Sequence, residues 1–490
     1  MLFTSTTFLF LFAPLVIGIH CIILFAARSC DAGSLYVRIA NTFLVMASLL
    51  FYAWGEPKYV VILIASAAIN YSLGYLLRFT LSNLLRLAVV TTAVVANLAI
   101  LSYFKYMKFF ADIIQMTGTQ IPEGWSFIQN IALPLGISFY TFQGLSYVID
   151  CYRKDVAIQT SLIDFLCYLT LFPQLVAGPI VRYSEVSGDI RDRRVNFPLF
   201  ASGARRFIIG LAKKILLADT FARVADAAFT SPPQTLSAPE AWLALLCYSL
   251  QIYYDFSGYS DMAIGLGRML GFHFPENFNY PYFSRSIQEF WRRWHMTLSR
   301  WLKDYLYIPL GGSRCASWRI YCNLLIVFAL CGLWHGATFG FLAWGMYHGA
   351  FLILERVFPR LVPSLPRLVQ HFYAFFVVMI GWILFRTEYI SAAYAYCTAL
   401  LGMTSPEYSN ANVRLAMQGY FFPIALFAGL IFSTPVCPAL TSAIKRRCKE
   451  SGMAHSLLRL SYDVFLLFLF VFSCMAVSGT TYLSFIYFRF

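Results

Sequence analysis

Thr7-Phe8-Leu9-Phe10-Leu11-Phe12-Ala13-Pro14-Leu15-Val16-Ile17-Gly18-Ile19-His20-Cys21-Ile22-Ile23-Leu24-Phe25-Ala26-Ala27 is a run of 21 residues without a Lys, Arg, Asp or Glu. A helix needs about 20 apolar residues to cross a bilayer, so this stretch is long enough to span. No Lys or Arg precedes it. A secretory signal would carry a basic leader there, and the run therefore reads as a retained first span. Outward from it the pattern recurs, with apolar stretches at 38–54, 59–77, 87–110, 128–148, 162–180, 241–270, 323–339, 341–357, 372–385, 420–436 and 464–477. They make about ten to twelve membrane segments, nearly all helical, because a helix satisfies its own backbone in lipid.

Composition agrees. Of 490 residues, 59% are hydrophobic, 18% aromatic and 12% charged. The charged share is about half the usual value of roughly 25%, and mean hydropathy is +0.66. No aqueous fold hides that much apolar surface, which excludes disorder, fibrous repeats, a secreted disulfide scaffold and an ordinary cytosolic enzyme. The net charge of +14, from 37 Lys and Arg against 23 Asp and Glu, reads as basic cytoplasmic loops facing anionic head groups or an anionic cofactor. No aromatic–basic nucleic-acid module is present. The twelve cysteines are scattered, mostly inside apolar runs where Cys behaves as a small hydrophobe. Cys315, Cys322 and Cys331 lack zinc-site spacing, so free packed thiols and no metal site are expected.

Basic residues orient the spans. Arg28 and Arg38 place the first loop inside and the N-terminus outside. Gly55-Glu56-Pro57-Lys58 is outside, Arg78 and Arg86 inside, the stretch 115–124 with Glu123 outside, and Arg153 and Lys154 inside. The alternation then breaks. The stretch 162–180 has basic flanks on both sides and contains Pro173, Gly178 and Pro179. It reads as re-entrant, and irregular backbone at that depth must be buried in protein or line a cavity. A second basic region spans about 273–319, and a third is Lys445-Arg446-Arg447-Cys448-Lys449.

Three constellations bear on chemistry. In Phe290-Trp291-Arg292-Arg293-Trp294-His295-Met296-Thr297-Leu298-Ser299-Arg300-Trp301-Leu302-Lys303-Asp304-Tyr305, the residues Trp291, Trp294, Leu298, Trp301, Leu302 and Tyr305 share one helical face. The periodicity predicts an amphipathic helix at the cytoplasmic interface with Trp anchors at head-group depth. His295 flanks the apolar face, and its position suits a packed histidine as well as a functional one. In Gly332-Leu333-Trp334-His335-Gly336-Ala337-Thr338-Phe339-Gly340, His335 is an ionisable residue inside an apolar run, which marks it as functional. The alternative is a hydrogen bond to a neighbouring helix. Gly332, Gly336 and Gly340 form a small-residue face that another helix or a ligand can approach. His348 reads as structural. The third stretch, 251–261, holds Asp255 and Asp261, whose six-residue step puts them on different helix faces; buried ties to Lys or Arg are expected of them. Gly311-Gly312-Ser313-Arg314 offers a weak phosphate-cradle signal. Whether 323–357 is one helix or two stays open.

Several motifs together resemble the membrane-bound O-acyltransferase (MBOAT) family. They are Trp291-Arg292-Arg293-Trp294-His295-Met296-Thr297-Leu298-Ser299, Tyr307-Ile308-Pro309-Leu310-Gly311-Gly312, Leu333-Trp334-His335-Gly336-Ala337 and Trp344-Gly345-Met346-Tyr347-His348-Gly349. The likeness extends to Leu2-Phe3-Thr4-Ser5, Tyr52-Ala53-Trp54-Gly55, Pro134-Leu135-Gly136-Ile137-Ser138-Phe139, the stretch 254–261 and the closing Tyr487-Phe488-Arg489-Phe490. It covers nearly the whole chain and is closest to the branch of membrane subunits that O-acetylate alginate. The resemblance implies an all-α polytopic membrane protein, one domain over 1–490, with a ring of tilted helices and re-entrant segments around a central tunnel. It implies that His335 matches the family's catalytic histidine and His295 its second site position, which varies among branches.

The function expected on that basis is acetyl transfer from a cytoplasmic donor, with acetyl-CoA as the acyl donor. Its phosphates would dock on Arg292, Arg293, Lys303 or Arg314, and His335 would act as general base. The chain, in the bacterial inner membrane, would move the acetyl group across, and a periplasmic relay protein would pass it on to a polysaccharide such as alginate. The rival readings are a D-alanyl or other acyl transferase for teichoic acid, peptidoglycan or cellulose, and a non-catalytic transporter or flippase, which would cleave no thioester.

Overall fold

The computed structural model describes residues 1–29, 33–79, 82–119, 125, 127–128, 131–387, 389–404, 410–447 and 452–479. Glu123, Cys448 and Lys449 of the third basic cluster, and the closing Tyr487-Phe488-Arg489-Phe490 lie outside the described residues. No strand occurs among those described. Two compact units divide the chain: Met1–Phe207 with Ser260–Pro275, and Ile208–Tyr259 with Glu276–Phe490.

The first unit contains α1 (Ala13–Ser29), α2 (Gly33–Gly55), α3 (Val60–Leu76), α4 (Asn83–Leu101), α5 (Met107–Met116), α6 (Ile137–Arg153), α7 (Leu162–Thr170), α8 (Phe172–Leu175), α9 (Tyr183–Arg191) and most of α10 (Phe197–Ala212). The second contains α11 (Asp219–Phe229), most of α12 (Ala238–Met269), α13 (Ile287–Arg293), α14 (Met296–Leu302), α15 (Ser317–His335), α16 (Phe339–Val357), α17 (Arg367–Arg386), α18 (Ile390–Leu400), α19 (Ala411–Ala416), α20 (Phe421–Phe432), α21 (Val436–Arg447) and α22 (Gly452–Ser478).

Among the described residues, seven helical stretches are long and apolar enough to cross a membrane: Phe8–Ala26, Leu35–Gly55, Pro57–Leu76, Asn83–Met116, Ser317–His335, Arg367–Arg386 and Ser456–Ser478. The pair Phe421–Phe432 and Val436–Ser442, bent by 66°, makes an eighth if it forms one span. The chain is an all-α, multi-pass membrane protein. The stretch expected at 128–148 becomes helical only from Ile137, and 241–270 lies almost entirely within one helix of 32 residues. Both α6 and α12 carry polar side chains that lie buried: Thr141, Gln143, Ser146 and Asp150 in the one, Asp255 and Asp261 in the other.

In the first unit, apolar helices are joined by polar contacts that lipid cannot replace. Asn70 of α3 and Asn97 of α4 exchange amide hydrogen bonds of 3.1 and 2.9 Å. A Cβ on Gly144 of α6 would stand 2.5 Å from the Asn70 amide nitrogen, so α6 packs against that pair only through glycine. The expected re-entrant stretch is split into α7 and α8, of nine and four residues, neither long enough to span. Its irregular backbone is buried and satisfied by side chains. Ser48 accepts from the Phe172 N–H at 3.0 Å, and the Tyr168 hydroxyl lies 3.1 Å from the Val181 carbonyl. In the same unit Arg206 holds Asp261 at 2.6 Å.

The second unit resolves the stretch 323–357 into two helices, α15 and α16, broken over residues 336–338. Their contact is set by glycine. A Cβ on Gly332 would collide with the Phe341 carbonyl oxygen, and one on Gly345 with the Phe328 carbonyl oxygen. The small-residue face therefore receives a helix. Asp255 is tied to Lys214 at 2.8 Å, and Lys214 also bonds Asp219 at 2.7 Å. Asp255 and Asp261 thus both have the cationic ties expected of them. Burial alone would lower the Lys214 ammonium, but the two carboxylates reverse this and raise its pKa. Lys214 lies in a π-turn, Lys213–Ala218, that joins α10 to α11.

Candidate active site

His335 is the last residue of α15. The helix ends because Gly336 turns extended, with Thr338 capping α16 by accepting from the Phe341 N–H at 3.4 Å. Gly336 faces the Phe341 ring, and a Cβ there would collide with it. The His335 side chain is 5% exposed. Its ring is enclosed edge-on by Trp334 at 4.9 Å, Trp344 at 5.3 Å and Phe385 at 5.2 Å between centroids.

The segment expected as one amphipathic interfacial helix is two short ones. α13 ends at Arg293, and α14 starts at Met296. His295 stands in the break with a left-handed backbone, φ 41° and ψ 55°. The Trp stripe is not an exposed row of anchors either. Trp291, Trp294 and Trp301 are all buried. Trp291 packs on Phe328 and Trp344, and Trp294 on Trp382. Glu355 of α16 fastens α13 by accepting from the Ile287 and Gln288 N–H groups at 2.6 and 3.0 Å, a carboxylate at a helix N-terminus.

The break turns the His295 ring inward, fully buried. Phe256 of α12 meets it edge-on at 4.6 Å, and Trp334 lies at 5.9 Å. Its Nδ1 lies 3.1 Å from Asn277 Oδ1, and its Nε2 has no hydrogen-bond partner among the described residues. Burial, reinforced by His335, holds its pKa well below the usual histidine value. The centroids of His295 and His335 are 6.4 Å apart. Two imidazoles 40 positions apart in sequence thus share one desolvated, aromatic-walled pocket.

A cleft of about 280 Å³ has Trp291 in its wall, and Trp291 packs on Trp344, which in turn meets the His335 ring. Leu298, Val327 and Cys331 give it apolar walls, and Arg292, Lys303 and Arg356 bring three cationic side chains. Cys331 stands one helical turn before His335. Of the four basic residues picked out for the donor, Arg292 and Lys303 line this cleft. Arg293 instead bonds Glu289 at 2.7 Å and the Asn279 carbonyl at 3.3 Å, and exposed Arg314 follows the lining residue Ser313. The Gly311-Gly312 turn does not present its glycine N–H groups to a phosphate. Its N–H groups already donate to the Ile308 and Tyr307 carbonyls at 3.0 and 2.9 Å.

Arg356 and Asn277 were not legible as site residues: each meets its neighbours only through the fold. His348 is fully buried among Phe290, Trp291 and Trp344. Among the described residues no group of three His, Cys, Asp or Glu side chains has the geometry to hold a metal, and the ten described cysteines are free.

Comparison with known proteins identifies the family. The profile of the MBOAT, membrane-bound O-acyltransferase family, matches residues 76–395. A probable alginate O-acetylase of Azotobacter vinelandii is 36% identical over the full length of both chains. One of Pseudomonas aeruginosa is 40% identical over 84% of this chain and 77% of its own. A peptidoglycan O-acetyltransferase of Helicobacter pylori is 34% identical over 82% of this chain and 80% of its own. These matches are to enzymes, and with them the reading as a non-catalytic transporter falls away. The chain belongs to the membrane-bound O-acyltransferase family and is a multi-pass membrane O-acyltransferase.

Proposed function

We propose that the chain passes an acetyl group from a cytoplasmic thioester donor, acetyl-CoA, across the bacterial inner membrane to a hydroxyl acceptor, for final delivery to an extracytoplasmic polysaccharide such as alginate. The observation that carries this is the pairing of His295 and His335 at 6.4 Å in a buried aromatic pocket. Acyl transfer needs one group that takes a proton from the attacking hydroxyl and returns it to the leaving thiolate. His335, a histidine in a desolvated pocket, suits that work as general base and acid. The acceptor oxygen bonds to the carbonyl carbon, the carbon–sulfur bond breaks, and the proton ends on sulfur, leaving His335 as it began. His295 orients the donor.

Arg292, Lys303 and Arg356 would hold the donor's phosphates, and the apolar walls of the cleft its thioester arm. The names of the three relatives favour acetyl as the group transferred. The short loops between apolar runs give a polymer no platform, so a periplasmic relay protein is the proposed immediate acceptor. The test is release of free CoA thiol by purified protein in nanodiscs supplied with acetyl-CoA and candidate acceptor proteins. Release that depends on acceptor and on His335 is expected. Equal release by the native chain and His335→Ala would contradict the reading.

A further inference from the structure

The loop entering α13 carries Asn277, which is 1% exposed, and its amide oxygen is a hub. Thr297 donates to that oxygen from its backbone N–H at 3.3 Å and from its hydroxyl at 2.9 Å. His295 Nδ1 lies 3.1 Å from the same atom. The Asn277 backbone carbonyl accepts from the Met296 N–H at 2.9 Å. One residue thus ties down the whole break between α13 and α14, and these bonds over-determine the left-handed backbone of His295.

The bonding pattern fixes a proton. A backbone N–H only donates, so the Asn277 atom facing Thr297 is oxygen and not nitrogen. An oxygen facing Nδ1 accepts from it, so Nδ1 carries hydrogen. Burial keeps the ring neutral, and a neutral imidazole has one N–H. Nε2 is therefore a bare lone pair, and it makes no hydrogen bond to any described residue. The titratable group facing this ring is His335 of α15. Phe256 of α12 and Trp334 of α15 supply apolar wall.

We propose that Asn277 is a positioning residue that holds His295 in the Nδ1–H tautomer, so that Nε2 enters the acyl-transfer site as a hydrogen-bond acceptor. This rests on the assignment of His295 and His335 to acyl transfer, and it narrows the part His295 plays. A neutral His295 has no Nε2 hydrogen to offer an oxyanion. It receives instead an O–H or N–H of the bound donor and orients that donor toward His335. An amide at position 277 accepts from Nδ1 without charge, whereas a carboxylate would stabilise the imidazolium and remove the lone pair.

The test uses the full chain in nanodiscs, as the native form, Asn277→Asp, Asn277→Leu and His295→Ala. In protein labelled with ¹⁵N-histidine, the signal missing from His295→Ala identifies His295 and reports its tautomer without any turnover. The native chain is expected to show a protonated Nδ1 and a bare Nε2. Asn277→Leu should lose the fixed tautomer and lower kcat roughly 10–100-fold, as removal of an orienting partner does at metal-bound histidines. Asn277→Asp should keep the geometry and move the acid limb of the kcat/KM profile to higher pH. A native spectrum with hydrogen on Nε2 would overturn the proposal, as would an unchanged tautomer and pH profile in both Asn277 variants. If those variants fail to insert, the native spectrum decides alone. Full acetyl transfer by His295→Ala, with the expected native tautomer, would refute the acyl-transfer role of His295 and leave the Asn277–His295 bond standing.

Discussion

The carbonyl oxygen of Phe341 in α16 occupies the place where a Cβ on Gly332 of α15 would stand. The two helices close on each other there, less than one turn before His335. Gly332→Ala should push them apart at cost of ~1–3 kcal/mol, typical of overpacking. We expect a lower thermal unfolding midpoint in detergent and reduced acyl transfer, while Gly18→Ala, with nothing near its Cβ position, should change neither.

Lys214 stands between Asp219 and Asp255, at 2.7 and 2.8 Å, with both carboxylates buried. Lys214→Met removes the cation and leaves two buried carboxylates. Breaking such a pair from one side costs about 3–5 kcal/mol. Chemical denaturation should show a loss of that order, and Asp255→Asn a smaller one, because it leaves the Lys214–Asp219 contact in place.

The cleft beside Trp291 predicts a division among the basic residues. Neutralising Arg292, Lys303 or Arg356 should raise KM for acetyl-CoA several-fold and weaken its dependence on salt, with kcat little changed. Arg293→Gln should leave KM nearly unaltered, since Arg293 is engaged by Glu289 and the Asn279 carbonyl. Steady-state kinetics at two ionic strengths checks this.

His295 is held well below its ordinary pKa of 6.5, by burial first and by His335 second. The unfolded chain takes up a proton near 6.5 that the folded one refuses. Its contribution to stability is therefore full above that pH and is lost as pH falls toward the folded value. The unfolding midpoint should decline below about pH 6.5, and His295→Asn should make that decline shallower.

Much of the membrane pattern was legible because apolar length is a local property: the first span, the irregular stretch at 162–180 and the buried ties of Asp255 and Asp261 all follow from composition and spacing. The Trp stripe of 290–305 misled, since periodicity reports that a face is buried and not what covers it. Its cover comes from Phe328, Trp344 and Trp382, remote in sequence. The two-residue break that turns His295 inward has no breaker residue; it is imposed by the loop hydrogen bonds of Asn277. Both histidines could be singled out from the sequence, but their proximity could not, because it depends on how α13, α14 and α15 pack.

Acyl transfer is assigned to His335. The most direct measurement follows label from radioactive acetyl-CoA into purified periplasmic acceptor proteins, with the native chain and His335→Ala inserted equally in nanodiscs. Labelled acceptor is expected with the native chain, and a loss of ~10²–10⁴-fold in rate with the variant, the range for removing a general base. Equal labelling by both would contradict the assignment and reduce His335 to a packed residue at the end of α15.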